Sequence, residues 1–285
     1  MLHATVKLLK NLVMRRSAYR FFMRDWRALG DLGRCADAAA TFRHSVNLEP
    51  ILMEGPQGKR ILVIAPHPDD EILGAGGTLI ASIERGAKVR VFYLTRGKAS
   101  QAEALMKEAA AVARLVGYET RFLNYYARCL PLDAQIIDTL REEIEIFGPQ
   151  VLMLPFLCDD HDDHRRASHL LWLTHQAHSL PPGLEIWAYQ VYTALIPNVV
   201  VDITATAEHK RTAIAGWASQ AGSRDWAHYA LGLNAFNSRF LPGATGPRFA
   251  EAFFVLPLED YCELCGHYFG GNPGSAYYTE GYVQS

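Results

Sequence analysis

Several features are scarce in this 285-residue chain, and each absence excludes a class of protein. No apolar run approaches the roughly 18 residues that a membrane-spanning helix needs. The five cysteines are an odd number and widely spaced, which argues against a disulfide framework and favours a cytoplasmic protein. Charge of one sign is also lacking, since 28 Lys and Arg face 30 Asp and Glu, so no nucleic-acid partner is expected. The composition predicts an ordinary globular protein.

The first 30 residues differ from the rest in charge, because they contain seven basic side chains and one acidic side chain. Apolar residues recur there at roughly helical spacing, which predicts an amphipathic helix with a cationic face. They are Leu8, Leu12, Tyr19, Phe22 and Trp26. Arginines interrupt them, so a signal peptide is not expected. Two interpretations of residues 1–27 stay open: packing on the main domain or on a second subunit of a homo-oligomer, or peripheral contact with an anionic membrane. We expect residues 1–58 to form an N-terminal helical extension.

From Lys59 onward, β-branched apolar segments alternate with helical segments. The pattern predicts strands at 60–65, 88–95, 120–123, 150–155, 185–193 and 198–203, and helices at 78–85, 102–116, 133–147, 165–177 and 207–219. Such alternation is typical of an α/β fold, here a Rossmann-like, mostly parallel sheet flanked by helices. In such sheets the functional residues lie on loops at the carboxyl ends of the strands.

Two polar clusters follow predicted strands of this sheet. The first is APHPDDE at 65–71, and the second is DDHDDH at 159–164. Carboxylates packed so closely repel one another, and a divalent cation is the simplest way to balance them. Nitrogen and oxygen ligands without sulfur suit Zn²⁺ or another divalent first-row metal, and an open fourth position is typical of a hydrolytic site. Gly74, Gly76 and Gly77 are expected to let the next helix approach the metal loop closely.

The motif APHPDDE after a first strand, followed later by HDDH, resembles the PIG-L/LmbE-like family of metal-dependent de-N-acetylases. The resemblance extends to 200–204, Lys210, Ser219-Gln220 and the segment RFAEAF at 248–253. It implies a deacetylase domain over residues 59–256, which leaves 257–285 as a C-terminal tail rich in glycine and aromatic residues.

The resemblance also implies roles for five residues: the metal ligands His67, Asp70 and His164, the general base Asp69, and the oxyanion-stabilising His161. Asp70 follows His67 by three residues, so one tight turn can direct both side chains at a single ion. Asp69 would then face the water that the ion activates, whose pKa falls from 15.7 to about 7. A protonated His161 would stabilise the oxyanion. Asp162 and Asp163 are candidates to orient the imidazoles.

The chain departs from the family at two positions that help hold sugar hydroxyls in relatives. Leu105 stands where family members commonly have Arg, and no Asp occurs in the segment 124–127. Arg96 and Tyr126 are therefore candidate substrate contacts. The catalytic residues are unaffected by these departures, so the chemistry is expected to be kept while recognition of the substrate differs.

The implied function is a zinc-dependent hydrolase that deacetylates an N-acetylated amino sugar. The substrate would be a small-molecule or lipid-linked amino sugar, such as an N-acetylglucosamine-type glycoconjugate or polysaccharide precursor. Three alternatives stay open: an amidase acting on a sugar–thiol conjugate, a two-metal phosphoesterase, and a non-catalytic protein that binds a metal or sugar. The presence of Asp69 and His161, which metal ligation alone does not require, favours an enzyme.

Overall fold

The structure is a computed structural model that describes residues 29–46, 49–193, 195–221, 224–243 and 246–271. The predicted helix within residues 1–27 lies outside these ranges, as does the tail beyond residue 271. None of the helices in the described residues is both long enough and apolar enough to cross a membrane.

Eight strands form one mostly parallel sheet, which confirms the predicted fold class. They are β1 (Ile51–Met53), β2 (Arg60–Ala65), β3 (Lys88–Thr95), β4 (Glu119–Tyr125), β5 (Val151–Pro155), β6 (Glu185–Tyr189), β7 (Val199–Asp202) and β8 (Ala250–Pro257). Their order is β1-β7-β8-β6-β5-β2-β3-β4. Only β8 runs antiparallel to its neighbours, β6 and β7.

Helices cover both faces of this sheet. In chain order they are α1 (Leu29–Ala39), α2 (Phe42–Ser45), α3 (Asp70–Glu84), α4 (Ala102–Val116), α5 (Ala134–Phe147), α6 (Asp162–His178), α7 (Ala207–Ala215), α8 (Ala218–Ala221), α9 (Trp226–Asn237) and α10 (Leu258–Phe269). Alternate residues of β2 separate the two cores: Leu62 and Ile64 pack with α5, α6 and α10, whereas Ile61 and Val63 pack with α3, α4 and α7. This two-sided burial explains the unbroken apolar runs of the central strands.

Two helices begin earlier than the sequence predicts, and both begin inside a polar cluster. Helix α3 starts at Asp70 rather than at residue 78, and α6 starts at Asp162 rather than at 165. In each case acidic side chains occupy the first turn, where the helix dipole and the unpaired N–H groups favour negative charge. The polar clusters are therefore strand-to-helix turns, and not long loops.

The glycines of α3 have a different role from the one expected. A Cβ atom at Gly77 would lie 2.7 Å from the side chain of Ile203, and one at Gly74 would overlap the ring of Tyr189. These glycines let α3 lie close against the side chains beneath it, and not against the metal loop.

Two elements outside residues 59–256 contact the sheet domain. Strand β1 pairs with β7, and helix α10 packs on α6 and α1. The domain therefore draws on residues at both ends of the interval that the resemblance covers. The division of the chain at residues 58 and 257 stays a prediction.

The chain changes direction across the sheet between β2 and β5. After β2 it builds β3 and β4 on one side, then returns to place β5 on the other side of β2. The carboxyl ends of two such strands enclose a crevice, which is the usual place for a ligand in an open α/β sheet. The two polar clusters follow β2 and β5, so both open into this crevice.

Candidate metal centre

The turn after β2 directs two side chains of the first cluster toward one point. The Asp70 carboxylate folds back and accepts a hydrogen bond from the backbone N–H of His67 at 2.8 Å. Its Oδ2 then lies 3.2 Å from Nδ1 of the same histidine. Asp69 lies between them and has a φ of 113°. This is a left-handed backbone conformation that residues other than glycine rarely adopt. This strained turn separates the direction of Asp69 from that of its neighbours.

Three potential ligand atoms form a nearly equilateral triangle. Nε2 of His164 lies 3.3 Å from Nδ1 of His67 and 3.2 Å from Oδ2 of Asp70. Two ligands of a tetrahedral zinc ion, each about 2.0 Å from the metal, are about 3.3 Å apart. The triangle therefore has the dimensions of one face of a zinc tetrahedron. These atoms come from the three residues that the resemblance implies as ligands.

The charges at this triangle also fit a divalent cation. Burial alone would lower the pKa of His164, but the Asp70 and Asp159 carboxylates outweigh burial and raise it to about 9. Burial would also lower the pKa of His67, but the Asp70 and Asp163 carboxylates outweigh it and raise this pKa well above its usual value. The carboxylates therefore favour positive charge at both imidazoles. A divalent cation held between the two facing nitrogens would supply that charge.

Both histidines are oriented by carboxylates on their far side. Oδ2 of Asp163 lies 2.7 Å from Nε2 of His67, as expected for an orienting carboxylate. Asp162 does not share this role, because its carboxylate pairs with Arg165 one helical turn later. Asp159, to which the sequence analysis gave no role, lies 3.0 Å from Nδ1 of His164. Which of several adjacent acids faces an imidazole depends on the shape of the turn, and sequence spacing does not show it.

His161 lies beside the triangle rather than on it. Its ring is 4.7 Å from that of His67 between centroids, and one nitrogen of each of His67, His161 and His164 lies within 4.8 Å of the others. Nδ1 of His161 accepts a hydrogen bond from the Asp163 N–H at 3.1 Å. Burial and the charges of His67 and His164 lower the pKa of His161 to about 3. This geometry corresponds to a neutral imidazole with its proton on Nε2, and not to the protonated form considered from the sequence.

Asp69 is not part of the triangle and lines a neighbouring cavity. It is 8% exposed, and burial, followed by the charges of Asp70 and Glu71, raises its pKa well above the usual value. The Glu71 carboxylate is itself buried. It accepts hydrogen bonds from the hydroxyls of Tyr93 at 2.9 Å and Tyr118 at 2.7 Å, and from the Asp69 N–H at 3.2 Å. Glu71 thus connects the strained turn to the core.

Two cavities lie next to the site. A cavity of about 310 Å³ contains Asp69 in its wall and is otherwise largely apolar, with Leu73, Trp217 and Trp226 among its lining residues. A second cavity, of about 300 Å³, is lined by both His67 and His161. Gln220 lines both cavities. These volumes lie at the small end of the range for ligand pockets, so each is suited to a compact chemical group.

The predicted substrate contacts Arg96 and Tyr126 line neither of these two cavities. Lys98 and Arg128 line the second cavity instead. They lie on the same loops, two positions after Arg96 and Tyr126 respectively. Leu105 is buried in the wall of the second cavity, as its departure from the family pattern suggests. Arg96 and Tyr126 therefore stay predictions.

An aromatic residue that the sequence analysis did not identify lies over the site. The ring of Tyr192 stacks on that of His164, with 5.2 Å between centroids and 18° between planes. The Tyr192 N–H donates a hydrogen bond of 3.1 Å to the Asp159 carboxylate, which also faces His164. Its place in a loop just after β6, at the carboxyl edge of the sheet, is the one signal that could have identified it.

Comparisons with known proteins show what this chain is similar to. The family model for PIG-L, described as GlcNAc-PI de-N-acetylase, matches residues 62–174. Diacetylchitobiose deacetylase of Thermococcus kodakarensis is 25% identical over 224 residues, which is 70% of this chain and 84% of that protein. The structure of N,N'-diacetylchitobiose deacetylase from Pyrococcus horikoshii, complexed with its inhibitor MPG, superimposes with a TM-score of 0.64. That similarity has 26% identity and covers 78% of this chain and 95% of the other.

The same fold also occurs in an enzyme of different chemistry. The 4-carboxy-2-hydroxymuconate hydratase from Pseudomonas putida superimposes with a TM-score of 0.57 and 21% identity, over 70% of this chain and 96% of that one. The fold alone therefore does not decide the reaction. The family match spans both polar clusters, and the recognition made from the sequence is confirmed. Residues 62–174 of the described domain are thus similar to the PIG-L family.

Proposed function

We propose that this chain is a metal-dependent hydrolase that removes the acetyl group from an N-acetylated amino sugar. The observation that carries the proposal is the ligand triangle of His67, Asp70 and His164, with the His161 ring beside it and Asp69 next in the chain to a ligand. A protein that only bound a metal would need the triangle and neither flanking residue. The deacetylases of similar sequence and structure support the choice of an N-acetyl sugar as substrate.

The three ligands would hold one divalent first-row ion, and we propose zinc because the donors are two nitrogens and one oxygen. When bound, such an ion supplies Lewis acidity toward a water molecule and toward the amide carbonyl oxygen. Asp163 and Asp159 keep the imidazoles of His67 and His164 in the orientation that ligation needs. Within the described residues, the one group of three or more potential ligands found close together is that of His67, His161 and His164, which shares two histidines with the triangle. One such group favours a single ion over the pair that a two-metal phosphoesterase uses.

Asp69 and His161 divide the proton chemistry between them. The Asp69 carboxylate takes the proton of the attacking water and then gives it to the amine as the C–N bond breaks. Nε2–H of His161 donates a hydrogen bond to the carbonyl oxygen as negative charge develops on it, a contribution of about 3 kcal/mol in comparable sites. The products are acetate and a free amino sugar.

The test is amine release from a panel of N-acetyl sugars, with and without a chelator. The panel comprises diacetylchitobiose and nucleotide-, lipid- and thiol-linked N-acetylglucosamine derivatives. We expect release of acetate and amine in equal amounts from at least one compound, loss of activity with chelator, and recovery when Zn²⁺ is restored. Phosphate release without acetate release, or activity that resists the chelator, would contradict the proposal.

The lipid-linked member of the panel addresses the N-terminal segment. Residues 1–27 lie outside the described structure, and their basic amphipathic pattern stays a candidate for peripheral membrane contact or for contact between copies of the chain. A deletion of residues 1–27 that lowers activity on the lipid-linked substrate alone would support membrane contact. A change in mass by light scattering would support contact between copies instead.

A further inference from the structure

The cavity that contains His67 and His161 carries unbalanced positive charge. Two basic residues, Lys98 and Arg128, line it, and none of its described lining residues is acidic. The other polar residues in its wall include the neutral amides Gln101 and Gln220. Both cations have exposed side chains, and neither forms an ion pair with a carboxylate of the described residues. The cavity therefore offers two cations with no ion-pair partner in the part of the chain that the structure describes.

The loop backbone that carries Arg128 is tied to the candidate metal centre. The Arg128 backbone N–H donates a hydrogen bond of 2.8 Å to Oδ2 of Asp163, the same oxygen that contacts Nε2 of His67. Arg128 has a φ of 66°, a left-handed conformation that costs energy in a residue other than glycine and that this contact helps to maintain. The Asp163 carboxylate thus contacts both the proposed metal ligand His67 and the backbone of the loop that carries Arg128.

The second cation is held by the neighbouring loop. Lys98 follows Gly97, whose N–H donates a hydrogen bond of 3.2 Å to the Thr95 hydroxyl and whose carbonyl accepts one of 2.9 Å from the Ala127 N–H. The loops after β3 and β4 are therefore tied together, with one cation on each. The buried Leu105 side chain packs against Gly97, where a Cβ atom would lie 2.4 Å from it.

We infer that this cavity is an anion subsite and that the preferred substrate is an N-acetyl amino sugar bearing a phosphate or a carboxylate. A neutral sugar that displaced water from Lys98 and Arg128 would offer neither cation an opposite charge. An anionic group, by contrast, can accept charge-assisted hydrogen bonds from both. The wall shared with His67 and His161 places the anion on the sugar whose acetamide reacts, or on the group next to it. This inference rests on the proposed deacetylase activity.

The test compares kcat/KM for neutral and anionic members of one substrate series. The series is the methyl glycoside of N-acetylglucosamine, N-acetylglucosamine 1-phosphate and 6-phosphate, and the N-acetylated uronic acid, so that its members distinguish phosphate from carboxylate. We expect at least one anionic sugar to exceed the neutral one by about tenfold or more, the value of one charge-assisted hydrogen bond. Because exposed charges are screened, the preference should shrink as salt rises from about 0.02 M to about 0.2 M.

Variants that remove these charges, compared with a charge-matched control, locate the preference. In Lys98→Gln/Arg128→Gln the ratio of anionic to neutral kcat/KM should fall toward one, through KM rather than kcat. Lys88→Gln/Arg114→Gln removes the same charge from exposed positions outside this cavity and should keep the ratio. Since Arg128 is in a strained conformation, Arg128→Gly is a second variant that removes the charge and relieves the strain. It should lower the ratio by about the same factor as Arg128→Gln.

Binding to the chelator-treated protein gives a readout that does not depend on turnover. Calorimetry with N-acetylglucosamine 6-phosphate and 1-phosphate should show weaker binding to Lys98→Gln/Arg128→Gln than to the unaltered protein and the charge-matched control. If the neutral sugar is turned over and the ratio of anionic to neutral kcat/KM is the same in the unaltered protein and all variants, the anion subsite is overturned. The deacetylase proposal would still stand. Selective anion binding without acetate release from any sugar would overturn the deacetylase proposal and leave the subsite standing.

Discussion

Asp69 combines a strained backbone with a place in the wall of a cavity. Its carbonyl accepts hydrogen bonds from the N–H groups of Ile72 at 3.1 Å and Leu73 at 2.9 Å, so the first turn of α3 holds the left-handed conformation in place. Left-handed backbone at a residue other than glycine costs about 1–3 kcal/mol and is found where function requires it. Here the strained turn leaves the Asp69 carboxylate outside the triangle and in a cavity wall, where the proposed mechanism uses it as a base.

The variant Asp69→Asn separates proton transfer from metal binding. Asn tolerates left-handed backbone and has nearly the same shape, so the fold and the ligand triangle should be kept. Since an amide cannot take the proton, we expect kcat to fall about 100-fold or more while metal content stays at the level of the unaltered protein. Steady-state kinetics with metal analysis measures both. Full activity in a metal-loaded Asp69→Asn protein would show that another group is the base.

At this scale the sequence predicts the central residues but not those that support them. The spacing in APHPDDE and HDDH, read through the family resemblance, is enough to bring His67, Asp70 and His164 together. It does not show that Asp159 rather than Asp162 faces His164, because that choice depends on backbone angles. Tyr192 is equally hidden, since an aromatic residue after a strand is common.

At the scale of elements, a buried ion pair joins α3 to three other elements. Nζ of Lys210 donates hydrogen bonds to the Glu251 carboxylate at 2.7 Å, to the Leu73 carbonyl at 2.9 Å and to the Asn234 side chain at 2.9 Å. The Glu251 carboxylate also accepts the N–H groups of Gly77 and Thr78, both at 2.8 Å. Helices α3, α7 and α9 and strand β8 are thus joined by one network with no exposed charge.

Replacing Lys210 with Met should destabilise the fold strongly, because the Glu251 carboxylate is then buried without a cation. We expect a loss of about 3–5 kcal/mol in the free energy of unfolding, measured by denaturant titration. The double variant Lys210→Met/Glu251→Gln should recover part of that loss, since no buried charge is left. Lys107→Met, at an exposed ion pair, serves as control and should change stability by less than about 1 kcal/mol. Equal losses for Lys210→Met and Lys107→Met would show that the network is not stabilising.

A second contact between elements should make stability depend on pH. His169 of α6 stacks on Phe269 of α10 with 4.3 Å between ring centroids. Burial, assisted by the charges of Arg166 and Arg34, lowers its pKa to about 4. As pH falls from about 6.5 to about 4, the unfolded chain binds a proton at this residue that the folded protein does not. Its contribution to stability is therefore complete above about pH 6.5 and is lost toward pH 4.

Between pH 7.5 and pH 4, we expect the free energy of unfolding of His169→Gln to fall by roughly 3 kcal/mol less than that of the unaltered protein. Urea unfolding at several pH values measures the difference. The control His228→Gln, at an exposed position, should retain the full pH dependence. An unchanged pH slope in His169→Gln would mean that this histidine titrates alike in the folded and unfolded states.

The elements themselves are largely predictable where strands and helices alternate. The bounds of β2, β3 and α4 agree with the sequence prediction, because apolar periodicity and terminal glycines define them. The starts of α3 and α6 do not, since acidic residues in a first helical turn look like loop in isolation. Strand β1 was not predicted because three residues carry too little pattern.

At the scale of the whole molecule, the metal centre lies where the two halves of the sheet meet. His67 and Asp70 follow β2, and His164 follows β5, so an ion held by all three would link segments that are distant in sequence. Sequence alternation predicts the sheet and the edge that carries the site, but not its strand order or the single antiparallel strand. Those depend on crossovers that many sequences could make.

Removal of the ion should therefore lower global stability. A ligand present at about 100 times its Kd stabilises the folded state by about 2.7 kcal/mol, which for a domain of this size corresponds to about 5–10 °C in Tm. We expect chelator treatment to lower Tm by this amount, and excess Zn²⁺ to restore it, in both the unaltered protein and Asp69→Asn. A Tm that does not respond to chelator or to Zn²⁺ in either protein would argue against a tightly held ion.

The most direct measurement is the metal content of the purified chain, by mass spectrometry after dialysis against Zn²⁺ and then against metal-free buffer. The triangle of His67, Asp70 and His164 predicts one ion per chain, with less than about a tenth of that in a folded His164→Ala variant. Two ions per chain, none in the unaltered protein, or an equal content in His164→Ala would contradict the centre on which the proposed chemistry depends.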